Sequence, residues 1–159
     1  MKSRRAGREL ALQALYACDS LDVWSEATVQ LLFEVFHPVP LQEEQGISPE
    51  LLQFAHTLIR GVIEHRGIID ESIARASTRW ALSRMCQVDR NILRLATYEL
   101  MYELSTPVSV VINEAIEIAK RFSADDAPTF VNGVLDRVAQ GTRAEELKAR
   151  TALKAASND

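Results

Sequence analysis

Residues 3–19 read SRRAGRELALQALYACD, and this stretch decides the fold. Leu10, Ala11, Ala14, Leu15 and Cys18 recur at helical spacing and share one face, so the segment reads as an amphipathic helix. Gly7 falls on the same face. A helical glycine costs about 1 kcal/mol of propensity, and the missing side chain lets another helix come close. Arg5, Glu9, Leu12 and Tyr16 form a neighbouring flank, and Arg4 and Arg8 lie near the rim of the buried face. Lys2, Arg4, Arg5 and Arg8 put four cations in the first eight residues of a chain whose net charge is −4. Charge gathered at one end of a folded element points to a localised polyanion contact rather than to loose adhesion.

The remaining chain repeats the helical pattern. No strand alternation stands out, and the six glycines and five prolines fall at boundaries. A second helix is expected over about Ser25–Phe36, burying Val29, Leu32, Phe33 and Phe36, followed by a loop over His37–Ile47. Ser48-Pro49-Glu50 is a start signal: a capping hydroxyl, a proline at the first helical position, and an acid at the positive helix end. The third helix carries Leu51, Ala55, Leu58, Ile59, Val62 and Ile63. Gly67 is expected to divide it from a fourth piece, Ile68–Ser77, and a short turn or helix follows around Trp80–Met85. Asp89 caps or opens a helix running to about Leu104, with Ile92, Leu93, Leu95, Ala96 and Leu100 on its buried face. Further helices are expected over about Val110–Phe122 and Thr129–Ala139. The charged stretch Arg143–Asp159 reads as a frayed helix or a disordered tail. The fold class is therefore all-α: about seven helices in two packed helical subdomains, with residues 1–141 as the domain and 142–159 as the tail.

Composition narrows the function. The chain has 159 residues, 47% hydrophobic and 25% charged, which suits one compact domain. A pI near 5.4 argues against nonspecific polyanion binding. Cys18 and Cys86 lie far apart with no CxxC pairing, so neither a disulfide nor a metal site is expected, and buried thiols in a reducing cytoplasm fit. No apolar run approaches the length of a membrane span, and the opening residues lack the apolar core of a signal peptide. His37, His56 and His65 are scattered. His56 and His65 are nine residues apart, so they point nearly opposite ways on a helix. With no catalytic triad spacing, phosphate-cradling loop or HExxH, an enzyme is not expected and no cofactor is implied. Asp125-Asp126 reads as a solvated helix start. Asn113 and Asn132 read as buried, backbone-bonded amides, and Trp24 and Trp80 as packing residues. Tyr16 fits equally a stacking or hydrogen-bonding role and a half-buried aromatic.

Four blocks, in order, carry a family resemblance. They are Arg4–Tyr16; Val88-Asp89-Arg90-Asn91-Ile92-Leu93-Arg94-Leu95-Ala96-Thr97-Tyr98-Glu99-Leu100; Pro107 with Val111–Lys120; and Phe130-Val131-Asn132-Gly133-Val134-Leu135-Asp136. Together they resemble the transcription antitermination factor NusB family. The resemblance implies a two-bundle helical fold without enzymatic activity. It also implies binding of single-stranded boxA RNA in nascent ribosomal RNA transcripts, together with the ribosomal protein NusE, and recruitment to an RNA polymerase antitermination complex. By position, Arg4, Arg5 and Arg8 match the arginine-rich RNA segment, and Lys2 of the same basic cluster is expected to bind RNA with them. Lys120, Asp126 and Phe130 match a second RNA-proximal region, and Tyr16 and Asp89 match positions at the NusE contact. Gly7 departs from the alanine more usual there, and Asp89 is one methylene shorter than the glutamate of some relatives. A helical protein-interaction module without RNA binding is the alternative. A homodimer that masks the arginines is compatible with the flank around Leu12.

Overall fold

The computed structural model describes residues 2–35 and 48–157, with side chains from Arg4 to Glu34 and from Ser48 to Ser157. The expected loop over His37–Ile47, and Phe36 before it, lie outside the described residues. Seven α-helices are described: α1 Lys2–Leu21, α2 Glu26–Val35, α3 Pro49–Ala76, α4 Gln87–Tyr102, α5 Val108–Phe122, α6 Ala127–Thr142 and α7 Ala144–Ser157. A single 3₁₀ turn, Leu82–Arg84, joins α3 to α4. No strand occurs among the described residues.

Local chemistry sets the helix starts. Ser25 Oγ accepts from the Thr28 backbone N–H at 3.2 Å and opens α2. Ser48 Oγ accepts from the Leu51 N–H at 3.1 Å, and Pro49 takes the first turn of α3. The expected break at Gly67 does not occur. The chain stays helical to Ala76, with one non-helical dihedral pair at His65 (φ −109°, ψ 18°) that kinks α3. Stopping at Gly67 would give up Ile69 and Ile73, both fully buried. Burying each contributes about 1.5–3 kcal/mol, which outweighs about 1 kcal/mol of glycine propensity.

Helix α4 lies at the centre, packed against α1, α3, α5 and α6. The sequence spacing suggests one buried face, yet every residue from Asn91 to Leu100 is buried. A helix buried all round must satisfy its polar side chains internally; α4 does so for its arginine, glutamate and asparagine through ion pairs and hydrogen bonds, while Thr97 Oγ1 is buried without a partner. Arg94 binds Asp70 and Asp19. Asn91 donates to Asp19 Oδ2 at 2.9 Å and to Gln87 O at 2.8 Å. Two close approaches fix the packing. A Cβ on Gly61 of α3 would sit 2.2 Å from the Tyr98 ring of α4, and one on Gly7 of α1 would sit 2.6 Å from Phe54 of α3. The sequence reading of Gly7 as a point of close approach thus finds its neighbour. Trp24 packs against the core and lies under Arg66 and Arg94, 4.5 and 4.9 Å from ring centroid to guanidinium carbon. Trp80, also expected to pack, is 52% exposed.

The segment beyond residue 141 is tied down at its start. Arg143 is buried and donates to four backbone carbonyls: Leu100 O (2.7 Å), Glu99 O (3.2 Å), Glu103 O (2.9 Å) and Thr106 O (3.0 Å). These include carbonyls that α4 leaves orphaned at its C-terminus. Glu146 accepts the Val108 N–H at 2.9 Å, covering an orphan donor at the start of α5. The α6–α7 junction therefore caps the α4–α5 turn from both sides.

Candidate nucleic-acid interface

The first half of α1 is joined to the rest of the molecule by three ion pairs. Arg8 donates Nε and Nη2 to the two carboxylate oxygens of Glu99 in α4, at 2.9 and 2.8 Å. Glu9, nearly fully buried, accepts from Arg121 Nη1 of α5 at 2.6 Å. Arg5 donates Nε and Nη2 to Glu114 of α5 at 2.6 and 3.0 Å. The hydrogen bonds from Arg5 hold the Glu114 carboxyl below the usual carboxylate range, against burial pulling the other way.

This arrangement corrects the reading of Arg8. Arg8 and Glu99 are 3% and 2% exposed. The guanidinium is an internal cation with its fork already taken, and it cannot serve as a free phosphate contact in this conformation. Its spacing carried the signal, since Arg8, Ala11 and Leu15 lie at i, i+3 and i+7 on the buried face. Arg5 is intermediate: its inner edge is held by Glu114 while about a third of the side chain stays exposed. Arg4 is the open one. It is exposed, and its guanidinium lies 4.9 Å from the Phe54 ring centroid, a cation–π arrangement that orients it without neutralising it. Lys2 belongs to the first turn of α1, and its side chain lies outside the described set.

The other expected residues fall on several surfaces. Lys120 is exposed near the end of α5, with Glu117 3.1 Å away. Asp126 stands at the N-cap of α6 without a capping hydrogen bond from its side chain. One turn later Phe130 is half-buried against the core. Tyr16 is 42% exposed, on the free side of α1. Asp89, in the first turn of α4, accepts a hydrogen bond from Ser123 Oγ and so already has an internal donor.

Asn113 and Asn132 require correction. Both are exposed, with no hydrogen-bond partner among the described residues, and the buried amide of the fold is Asn91 instead. They line an open groove of about 1050 Å³ between α5 and α6, bounded by Arg4 at one side and by Leu147 and Arg150 of α7 at another. Sequence reasoning missed this groove because the two asparagines belong to different helices, α5 and α6, and no local pattern joins them. Their shared exposure follows from how α5 and α6 pack.

Residues 5–140 match the family model described as the NusB family. The chain belongs to the NusB family. A transcription antitermination protein NusB from Geotalea uraniireducens is 47% identical over 144 residues, covering 87% of this chain and 95% of that protein. One from Anaeromyxobacter dehalogenans is 45% identical over 142 residues, covering 89% and 94%. Among solved structures, T. maritima NusB superposes with a TM-score of 0.72 at 39% identity, covering 86% of this chain and 90% of that one. A chain from a crystal structure of antitermination factors NusB and NusE in complex with double-stranded RNA gives 0.73 at 26% identity, covering 89% and 98%. The NusB family is one of non-enzymatic transcription antitermination factors. No helix among the described residues is long and apolar enough to cross a membrane, and no cluster of three potential metal-ligating side chains occurs among them.

Proposed function

We propose that this NusB-family chain binds single-stranded boxA RNA of nascent ribosomal RNA transcripts together with the ribosomal protein NusE, and that the pair joins an RNA polymerase antitermination complex. The observation that carries the reading is the N-terminus of α1. Its first two turns hold Lys2, Arg4 and Arg5 and no acid. Cations at the positive end of a helix work against helix stability, yet they add to the dipole in attracting an anion. The Arg8–Glu99 and Glu9–Arg121 pairs hold that end in place, so Arg8 is a positioning residue and Arg4 and Arg5 are the contacts. Lys120 supplies a further cation, and Phe130 a half-exposed ring on which a splayed base can stack. Asp126 accepts from base amino groups. Tyr16 and Asp89 form the NusE contact, away from the RNA-facing end. The similarity to a chain solved with NusE and double-stranded RNA supports binding of both partners in general.

The test is a mobility-shift titration with boxA RNA and a scrambled control, each with and without NusE. Four phosphate contacts (Lys2, Arg4, Arg5 and Lys120) correspond to a log–log salt slope of about −3, at about −0.7 per contact on a single strand. A slope near zero, or equal binding of the scrambled RNA, overturns the electrostatic mechanism.

A further inference from the structure

The groove between α5 and α6 has features that neither packing nor the contacts above account for. Its two asparagines are exposed on the amphipathic helices α5 and α6, and their side chains make no internal hydrogen bond. Its floor includes Ile112 and Ile116. Its lining includes Arg4 of α1 and Arg150 of α7; neither guanidinium has a carboxylate within ion-pair distance among the described residues, and Arg150 feels the charge of Glu146 one turn earlier. Two carboxylates also face it. Glu114 is neutralised by Arg5, while Asp136 is exposed and unpaired. The wall that carries Arg150 is α7, which begins after the 5–140 segment matched to the family. The start of α7 is fixed by Arg143 just before it and by Glu146 in its first turn, so Arg150 stands at a defined place one turn beyond Glu146.

We infer that this groove is a second RNA subsite, in which a short single-stranded segment runs from Arg4 along Asn113 and Asn132 to Arg150 on α7. The inference rests on the RNA-binding function proposed above and extends it. RNA is the occupant that the chemistry favours, because the lining sets cations of α1 and α7 beside the amides and carboxylate of α5 and α6 and the apolar side chains Ile112 and Ile116. Phosphates beside the amides would meet Asp136. Bases there would place a flat face on Ile112 and Ile116, and their Watson–Crick edges would meet two amides able both to donate and to accept. Asp136 would accept from an exocyclic amino group. Arg4 and Arg150 would each meet a flanking phosphate, for which the guanidinium fork is suited. The groove's volume lies at the upper limit of the roughly 300–1,000 Å³ of pockets that enclose a drug-sized ligand, so it has room for more than one base. Arg4 belongs to both stretches, which makes the path continuous.

The test uses the full chain with NusE and labelled boxA RNA carrying its natural flanking nucleotides. Arg150→Ala and the double variant Asn113→Ala/Asn132→Ala are compared with the parent, and circular dichroism checks their helical content. All three side chains are exposed, so folding should be retained. Arg150→Ala is expected to weaken binding about tenfold and to make the salt slope shallower by about 0.7. The asparagine double variant is expected to keep the parent's slope and lose discrimination against the scrambled flank, as base-edge contacts do. Parent-like affinity, slope and discrimination in both variants overturn the groove and leave the α1 contact standing. A parent that fails to shift boxA RNA overturns both. Variants that lose NusE capture while holding RNA as the parent does assign the groove to protein and overturn the inference.

Discussion

Arg8 shows how one residue can carry charge and yet not present it. Its partner Glu99 is 91 positions away in sequence, so no local pattern joins them. Removing one member of a buried pair leaves an uncompensated charge, at about 3–5 kcal/mol. Arg8→Ala should therefore destabilise the fold strongly, whereas Arg8→Met combined with Glu99→Leu should recover most of the loss. Urea denaturation of the two variants measures this, and a near-neutral Arg8→Ala would remove the structural role. Arg4→Ala, by contrast, should leave stability within about 0.5 kcal/mol of the parent, as exposed changes usually do, and weaken RNA binding. The basic cluster was visible in the sequence as composition. What separates a phosphate contact from an internal cation is the acid that the tertiary fold brings alongside, and only distant packing specifies that. The two asparagines failed in the opposite sense: an amide within an apolar run looks buried until the neighbouring helix fixes which way it faces.

At the scale of elements, periodicity was a sound guide to helices and a poor one to their ends. Apolar spacing located α1, α3, α5 and α6, and Ser48-Pro49 marked the start of α3 as expected. Gly67 misled because propensity is a local quantity and the burial of Ile69 and Ile73 is not. Two substitutions in α3 expose the difference. A Cβ at Gly67 meets nothing within 4 Å, so Gly67→Ala should stabilise by about 0.5–1 kcal/mol. Gly61→Ala drives a methyl into the Tyr98 ring and should destabilise by about 1–3 kcal/mol. Thermal melts should shift in opposite directions, and a shared direction would mean that the α3–α4 approach is wrong. The α7 junction was hidden for a related reason. Arg143 looked like tail composition, and its four carbonyl acceptors belong to the end of α4 and the turn beyond it. Bonds from a charged donor contribute about 1.5–3 kcal/mol net. Arg143→Ala should cost at least that and should speed amide exchange at the C-terminal turn of α4 and the start of α5.

Across the whole molecule, the ion pairs link α1, α3, α4 and α5 into one charged lattice, and this sets a pH dependence distinct from the salt dependence of RNA binding. Burial alone would push the Asp19 carboxyl up, but Arg90, Asn91 and Arg94 outweigh it and leave it below the ordinary value. Glu114 is lowered by its hydrogen bonds from Arg5. Burial also pushes Glu146 up, and the Val108 N–H and Arg143 reverse that. A carboxyl lowered in the folded state binds its proton more readily when unfolded. Its stabilisation is therefore complete above the unfolded values of about 3.9 for Asp and 4.3 for Glu, and it is lost as pH falls through the lower, folded values. Unfolding free energy should be flat with respect to these three groups from about pH 5.5 upward and should fall steeply below about pH 4. Asp19→Asn should be less stable at pH 7 and show a shallower acid limb. Because the main pairs are buried or half-buried, raising salt from about 50 to 500 mM should move the melting temperature little, since screening acts chiefly on exposed charges. The same change should weaken RNA binding by about three powers of ten, from a slope of about −3. Melting curves and RNA titrations on one preparation separate the two. If stability and RNA affinity fell together with salt, the internal lattice and the binding surface would be the same set of charges, and the assignment of Arg8 to the first and Arg4 to the second would not hold.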